Sequence, residues 1–243
     1  MDNRRAIDPM NPKNSRRTQP EERSEGSDHC AAPLGSSASG RLRFTNGVHR
    51  SVIRADLHLP GLYHAHFGDQ MPMVGVQGGV VTIRYPRILS CDWLSYRSER
   101  PGEVALNAHI PWDIEVRDGA SRLVADLREL RLGSFNLDGG ASRVEVVLPA
   151  PSGTVAVAIL GGASNVAIRR PEGIAAQLRV SGGVTNLKFD DRHIGAAGGE
   201  LDLRAKGYDG ATDRYGVIIT GGANNVRIDK QRAARGRGSG ASA

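Results

Sequence analysis

With 243 residues, a formal charge of +6 and only 5% aromatic side chains, the chain can fill one sizeable domain but lacks the bulky residues of a thick core. The charge sits at one end: residues 1–40 balance six basic groups against six acidic ones, residues 230–243 carry +4, and +2 is left between them. A nearly neutral body with sparse aromatics lacks the electrostatic footprint of a nucleic-acid binder. Two cysteines, Cys30 and Cys91, supply neither a disulfide framework nor a metal spacing, and read as thiols of a reducing, cytoplasmic compartment.

Residues 1–40 hold Pro, Ser, Arg, Glu and Gly with almost no paired hydrophobics, so they are expected to form a disordered leader. Their longest apolar run, Ala31 to Leu34, is too short for a secretory signal, and no later run reaches the length of a membrane span. From residue 41 the apolar residues alternate with period two. Leu42 and Phe44 precede an Asn46-Gly47 turn, Tyr63, Ala65 and Phe67 alternate with His64 and His66, and Val74 and Val76 lead to a Gly78-Gly79 corner. Residues 86–103, with Cys91, Trp93 and Tyr96, break the rhythm and read as an excursion, as do residues 190–214. The alternation ends near Asp229, and residues 230–243 form a flexible basic tail.

Between these limits the chain repeats itself. Gly139-Gly140-Ala141-Ser142-Arg143-Val144 returns as Gly161-Gly162-Ala163-Ser164-Asn165-Val166, as Gly182-Gly183-Val184-Thr185-Asn186-Leu187 and as Gly221-Gly222-Ala223-Asn224-Asn225-Val226. The starts lie 22, 21 and 39 residues apart, the last close to two periods. Such a period marks a solenoid. Each period reads as strand, Pro/Gly corner, strand, Gly-Gly corner. Stacked in parallel, the coils put Leu123, Val144, Val166, Leu187 and Val226 in one interior column and Ala125, Val146, Ile168, Phe189 and Ile228 in the next. The expected fold is all-β: a single parallel β-solenoid of about 21-residue coils over 41–229. A leucine-rich repeat shares the period, and Leu127-x-x-Leu130-x-Leu132 resembles its opening, but Phe135 stands where that motif needs Asn or Cys.

The paired glycines are expected at corners that admit no Cβ, so that Gly162 should reject valine. Arg50, Arg122, Arg143, Asn165, Asn186 and Asn225 occupy the same place after each corner and form a candidate partner-binding ridge. Chemistry is harder to find. His64 and His66 share a strand face that could seat a metal with His58 or Asp69, but solvated outward positions explain them as well. Asp190-Asp191-Arg192-His193 reads as a charged surface turn. The Gly-Gly corners precede strands, not the helix N-terminus a phosphate loop needs, and no carboxylate cluster of a polysaccharide lyase marks the outward positions. The expectation is no catalytic residue, no cofactor and no metal.

The Gly-Gly-Ala-Ser-x-Val coils, Phe44-Thr45-Asn46-Gly47, the strand Ile110 to Val116 and the stretch from Tyr208-Asp209-Gly210 to Gly222 resemble the toastrack β-solenoid family. That family includes the C-terminal domains of LiaF-like cell-envelope stress regulators and adhesin-like bacterial proteins. The resemblance implies a right-handed, non-enzymatic binding or sensory module of bacterial origin, with a protein partner. The alternative it implies is an adhesin-like surface or scaffold protein that self-associates end to end. Unlike the LiaF-like members, this sequence has no transmembrane helices ahead of the domain.

Overall fold

The computed structural model describes residues 29–68, 72–86 and 100–231, and within them every regular element is a strand. The first seven are β1 (His29–Ala32), β2 (Gly40–Thr45), β3 (Val48–Asp56), β4 (Tyr63–His66), β5 (Met73–Gln77), β6 (Val80–Arg84) and β7 (Gly102–Asn107). The regular coils follow as β8 (Pro111–Arg117), β9 (Ala120–Asp126), β10 (Arg131–Asp138), β11 (Ala141–Val147), β12 (Thr154–Leu160) and β13 (Ala163–Arg170). The chain ends with β14 (Ala175–Val180), β15 (Val184–Phe189), β16 (Arg192–Ala197), β17 (Leu201–Arg204), β18 (Arg214–Ile219) and β19 (Ala223–Lys230). Period-two alternation makes each of the regular strands half-buried: in β12, Val155, Val157 and Ile159 are inside while Ala156 and Leu160 face out.

The strands form two sheets whose inner faces share one core. One runs β1-β4-β7-β3-β9-β11-β13-β19-β15-β16, the other β17-β14-β18-β12-β10-β8-β2-β6-β5. Each coil gives one strand to each sheet. The two interior columns are as expected, with Leu123, Val144, Val166, Val226 and Leu187 at most 2% exposed. They face a matching column from the other sheet, Ile114, Phe135, Val157, Val217 and Leu178. Buried apolar side chains of this size each stabilise by about 1.5–3 kcal/mol, so a stack of thin layers suffices without many aromatics. The fold class is thus the one the alternation predicts, an all-β solenoid, and the absence of helices among the described residues removes the leucine-rich repeat.

Four expectations about organisation are corrected. The coils do not stack in sequence order: β18–β19 lies between β12–β13 and β14–β15, and β2–β3 lies between β6–β7 and β8–β9. Residues 190–214 are no mere excursion, because β16 and β17 pair antiparallel with β15 and β14 and close that end of the solenoid. At the other end β4, β1 and β5 do the same, and Gly78-Gly79 is the turn of a hairpin. The leader does not extend to residue 40, since β1 is ordered and Cys30, Ala32 and Leu34 pack on the core. The rest of the leader, residues 1–28, lies outside the described residues. So do Asp69, most of the 86–103 stretch with Cys91, Trp93 and Tyr96, and the tail from 232.

Buried polar groups pin the irregular joints. Trp112 Nε1 donates to the Asn107 carbonyl at 2.8 Å, while the Asn107 amide donates to the carbonyls of Leu59 and Gly61. Tyr215 Oη donates to the Pro149 carbonyl at 2.7 Å, and burial pushes its phenol far up. Arg170, 1% exposed, reaches across β19: its two terminal nitrogens meet both carboxylate oxygens of Asp190 at 2.8 and 2.7 Å, and its Nε donates to the Ile174 carbonyl.

Candidate functional site

In the first sheet β11, β13, β15 and β19 follow a Gly-Gly corner, and β9 and β3 follow Asp118-Gly119 and Asn46-Gly47; each then buries one residue and turns the next two outward. In β11 these are Ser142 and Arg143, after which Val144 turns in. Two outward residues in a row break the pleat, and the ladder shows where: Ser142 pairs with Ser121 and Ser164, whereas Arg143 is skipped. The skipped residue is a bulge in left-handed conformation. Arg50, Arg122, Arg143, Asn165, Asn225 and Asn186 have φ of 48°, 54°, 55°, 55°, 52° and 51° in their order along the stack. That order corrects the expected ridge, in which Asn186 precedes Asn225. Left-handed backbone costs most L-residues roughly 1 kcal/mol and costs asparagine least.

The column divides chemically at its middle. From Asn165 onward the amides bond to one another: Asn225 Nδ2 donates to Asn165 Oδ1 at 2.6 Å, Asn186 Nδ2 to Asn225 Oδ1 at 3.0 Å, and His193 Nε2 lies 3.0 Å from Asn186 Oδ1. Beside it runs an in-register polar row, Ser142, Ser164, Asn224 and Thr185, the last three lining a shallow trough of about 360 Å³ with Gly162, Gly183 and Gly222. The other half stacks Arg50, Arg122 and Arg143, with Arg122 donating to His49 Nε2 at 3.4 Å. Partial burial, then the charges of Arg122 and Arg50, hold His49 below the usual imidazole range.

The corner glycines behave unequally. A Cβ on Gly139, Gly161, Gly182 or Gly221 would stand 2.6–2.8 Å from the backbone of the neighbouring coil, whereas on Gly140, Gly162, Gly183 or Gly222 it would meet a carbonyl oxygen at 3.5–3.7 Å, an ordinary contact. Of these eight only Gly139 has positive φ, at 108°. Close approach at the first glycine of each pair is therefore the constraint, and the intolerance expected at Gly162 belongs to Gly161. The doublet signalled a corner, but only the distance to the next coil tells its two members apart.

A second surface escaped the sequence reading because its residues come from different coils. On the outer face of the first sheet, a trough of about 680 Å³ carries Arg128 paired with Asp126, Arg169 paired with Glu145, and the exposed Lys188 and Arg227. On the opposite face Glu115 lies between Arg43 and Arg117, at 2.8 and 2.6 Å; burial raises its carboxyl, but the two guanidiniums hold it below the usual range. His64 and His66 face outward from β4 beside His29 of β1, ring centroids 5.3 and 4.7 Å away. Among the described residues no group of three His, Cys, Asp or Glu side chains could hold a metal ion, and no helix is long and apolar enough to cross a membrane. Asp190 and His193, three residues apart in sequence, are split between the Arg170 ion pair and the asparagine column.

Residues 77–169 match the family described as the N-terminal domain of toast_rack, DUF2154. The chain carries a toastrack-type domain. A crystal structure from Clostridium sporogenes ATCC 15579, of a protein provisionally named for cell adhesion, superposes with a TM-score of 0.64. The match spans 84% of this chain and 98% of that one at 18% identity, which shows a shared toastrack fold. No curated protein matches the chain. The family match runs from the last residue of β5 to the next-to-last residue of β13, so the regular Gly-Gly corners at 139 and 161 fall inside it and those at 182 and 221 outside.

Proposed function

We propose that this toastrack domain is a non-catalytic binding module of a bacterial cell-envelope stress response, working in the cytoplasm and docking a protein partner along the left-handed column. The observation that carries the reading is that column, six outward side chains aligned along the stack on the edge of a rigid solenoid. Repeat folds bind along such extended faces, and sites built on strands hold their geometry without a closing lid. The near-neutral body supports a protein partner over nucleic acid.

A second reading, an adhesin-like surface or self-assembling protein, is favoured by the name of the Clostridium sporogenes neighbour. The antiparallel strands that close both ends of the stack weigh against end-to-end assembly, because they replace the parallel edge that another coil would extend. Fractionation of the native host, with the gene intact or deleted under a cell-wall antibiotic, tests the choice. Recovery from the cytoplasm with heightened antibiotic sensitivity of the deletion supports the stress module; recovery from the outer surface with unchanged sensitivity supports adhesion.

A further inference from the structure

The left-handed column contains an anomaly that its role as a corner does not explain. Asparagine is the residue that adopts positive φ most cheaply, and the coils of β13, β19 and β15 use it. The coils of β3, β9 and β11 place arginine at the same φ, so the backbone conformation is not what selects that side chain. Local electrostatics do not select it at Arg122 or Arg143 either. Arg122 and Arg143 take part in no ion pair among the described residues, and the nearest outward carboxylates on the same strands are already engaged, Asp126 by Arg128 and Glu145 by Arg169. Arg50 makes contacts of its own and heads the same column. The like charges of Arg122 and Arg143 on adjacent strands repel one another, and the protein bears this in addition to the backbone strain. Strain retained where a cheaper residue serves elsewhere in the same fold is the mark of a functional position.

We propose that Arg50, Arg122 and Arg143 form an anion ladder that captures an acidic α-helix lying along the solenoid axis. The proposal rests on the binding-module reading above and names its partner's chemistry. Neighbouring strands are about 4.8 Å apart, so the three rungs recur at that step. Carboxylates on one face of a helix, at i, i+4 and i+7, recur about once per 5.4 Å turn and stay within reach of long guanidinium arms over three rungs. Same-face side chains of an extended peptide recur about every 6.6 Å and fall out of step by the third rung. Phosphates along one strand of duplex DNA recur about every 3.4 Å and fit no better. Each guanidinium offers a planar fork to a carboxylate. Beyond Arg143 the asparagines satisfy one another, so the acidic stretch of the partner spans about two turns and then gives way to neutral residues.

The test uses the purified full chain, a fluorescent helix-stapled peptide with Glu at i, i+4 and i+7, and the variant Arg122→Asn/Arg143→Asn. Asparagine is the residue the neighbouring coils already carry there, so the variant should keep or raise the melting temperature. It should weaken helix binding by about tenfold or more, and the wild-type affinity should fall with added salt. An extended peptide of the same composition and a polyuronate should bind the wild type at least about tenfold more weakly than the helix. The ladder is overturned by equal or tighter binding of either competitor, by undiminished capture in the variant, by no binding of the helix at all, or by a melting temperature that falls in the variant. Because the titration is made in vitro, its failure leaves the cellular test of the module reading untouched.

Discussion

At the scale of single residues, the two glycines of each corner separate steric need from mere permissiveness. A Cβ on Gly161 would press to 2.7 Å from the Gly139 carbonyl oxygen, whereas on Gly162 it would lie 3.6 Å from that of Gly222. Gly161→Ala is expected to cost about 1–3 kcal/mol, the range of overpacking, while Gly162→Ala stays within about 0.5 kcal/mol of wild type. Urea unfolding of the two variants checks this, and equal midpoints would refute the close-approach argument. Histidines give a second prediction. Burial and neighbouring positive charge lower the pKa of His49, and burial with His29, Arg54 and His66 lowers that of His64. Below the unfolded value of 6.5 the unfolded chain then binds more protons than the folded one, so stability falls as pH drops through that window and levels off beneath the folded values. Replacing both by Gln should flatten the change in unfolding free energy between pH 7 and pH 5.

Among the elements, β19 is held by more than its ladders. The Arg170–Asp190 pair passes over it from the end of β13 to the end of β15, while the Gln231 backbone N–H donates to the Arg170 carbonyl at 2.7 Å. Arg170→Ala leaves the Asp190 carboxylate without its partner in a largely enclosed site and should cost about 3–5 kcal/mol, read as a drop in melting temperature; Arg170→Met with Asp190→Asn should recover much of it. The strands themselves were legible, since Val144, Val146 and Leu148 alternate as a half-buried strand must. Their partners were not. Alternation is identical for parallel and antiparallel pairing, so the caps made by β16 and β17 looked like an interruption. The candidate column was legible from its recurrence after each corner, yet its left-handed backbone was hidden, because arginine at half of the positions masks the signal that asparagine gives at the other half.

For the molecule as a whole, the deciding feature is that the first and last full coils each fill a slot one position in from an end. The doubled spacing of 39 residues before Gly221 hinted at a missing coil, but a local pattern cannot say that the coil returns between its predecessors. The consequence is that one end of the stack depends on the coil that comes last in sequence. β14 pairs with β18 and β17, and β15 with β19 and β16, so the four strands β14 to β17 join the body's sheets only through β18 and β19. A chain ending at residue 213 therefore loses the docking of β14–β17 as well as its own last coil, although every residue of those four strands is present. Hydrogen exchange on this truncation should find the amides of β8 to β11 protected as in the full chain and those of β14 to β17 exchanging rapidly. In the full chain the same strands should gain protection late in refolding, since their pairing waits for contacts some 40–60 residues apart in sequence to close. Native-like protection of β14 to β17 in the truncated chain would show that they can pair directly with β12 and β13, and would overturn the slot-filling account.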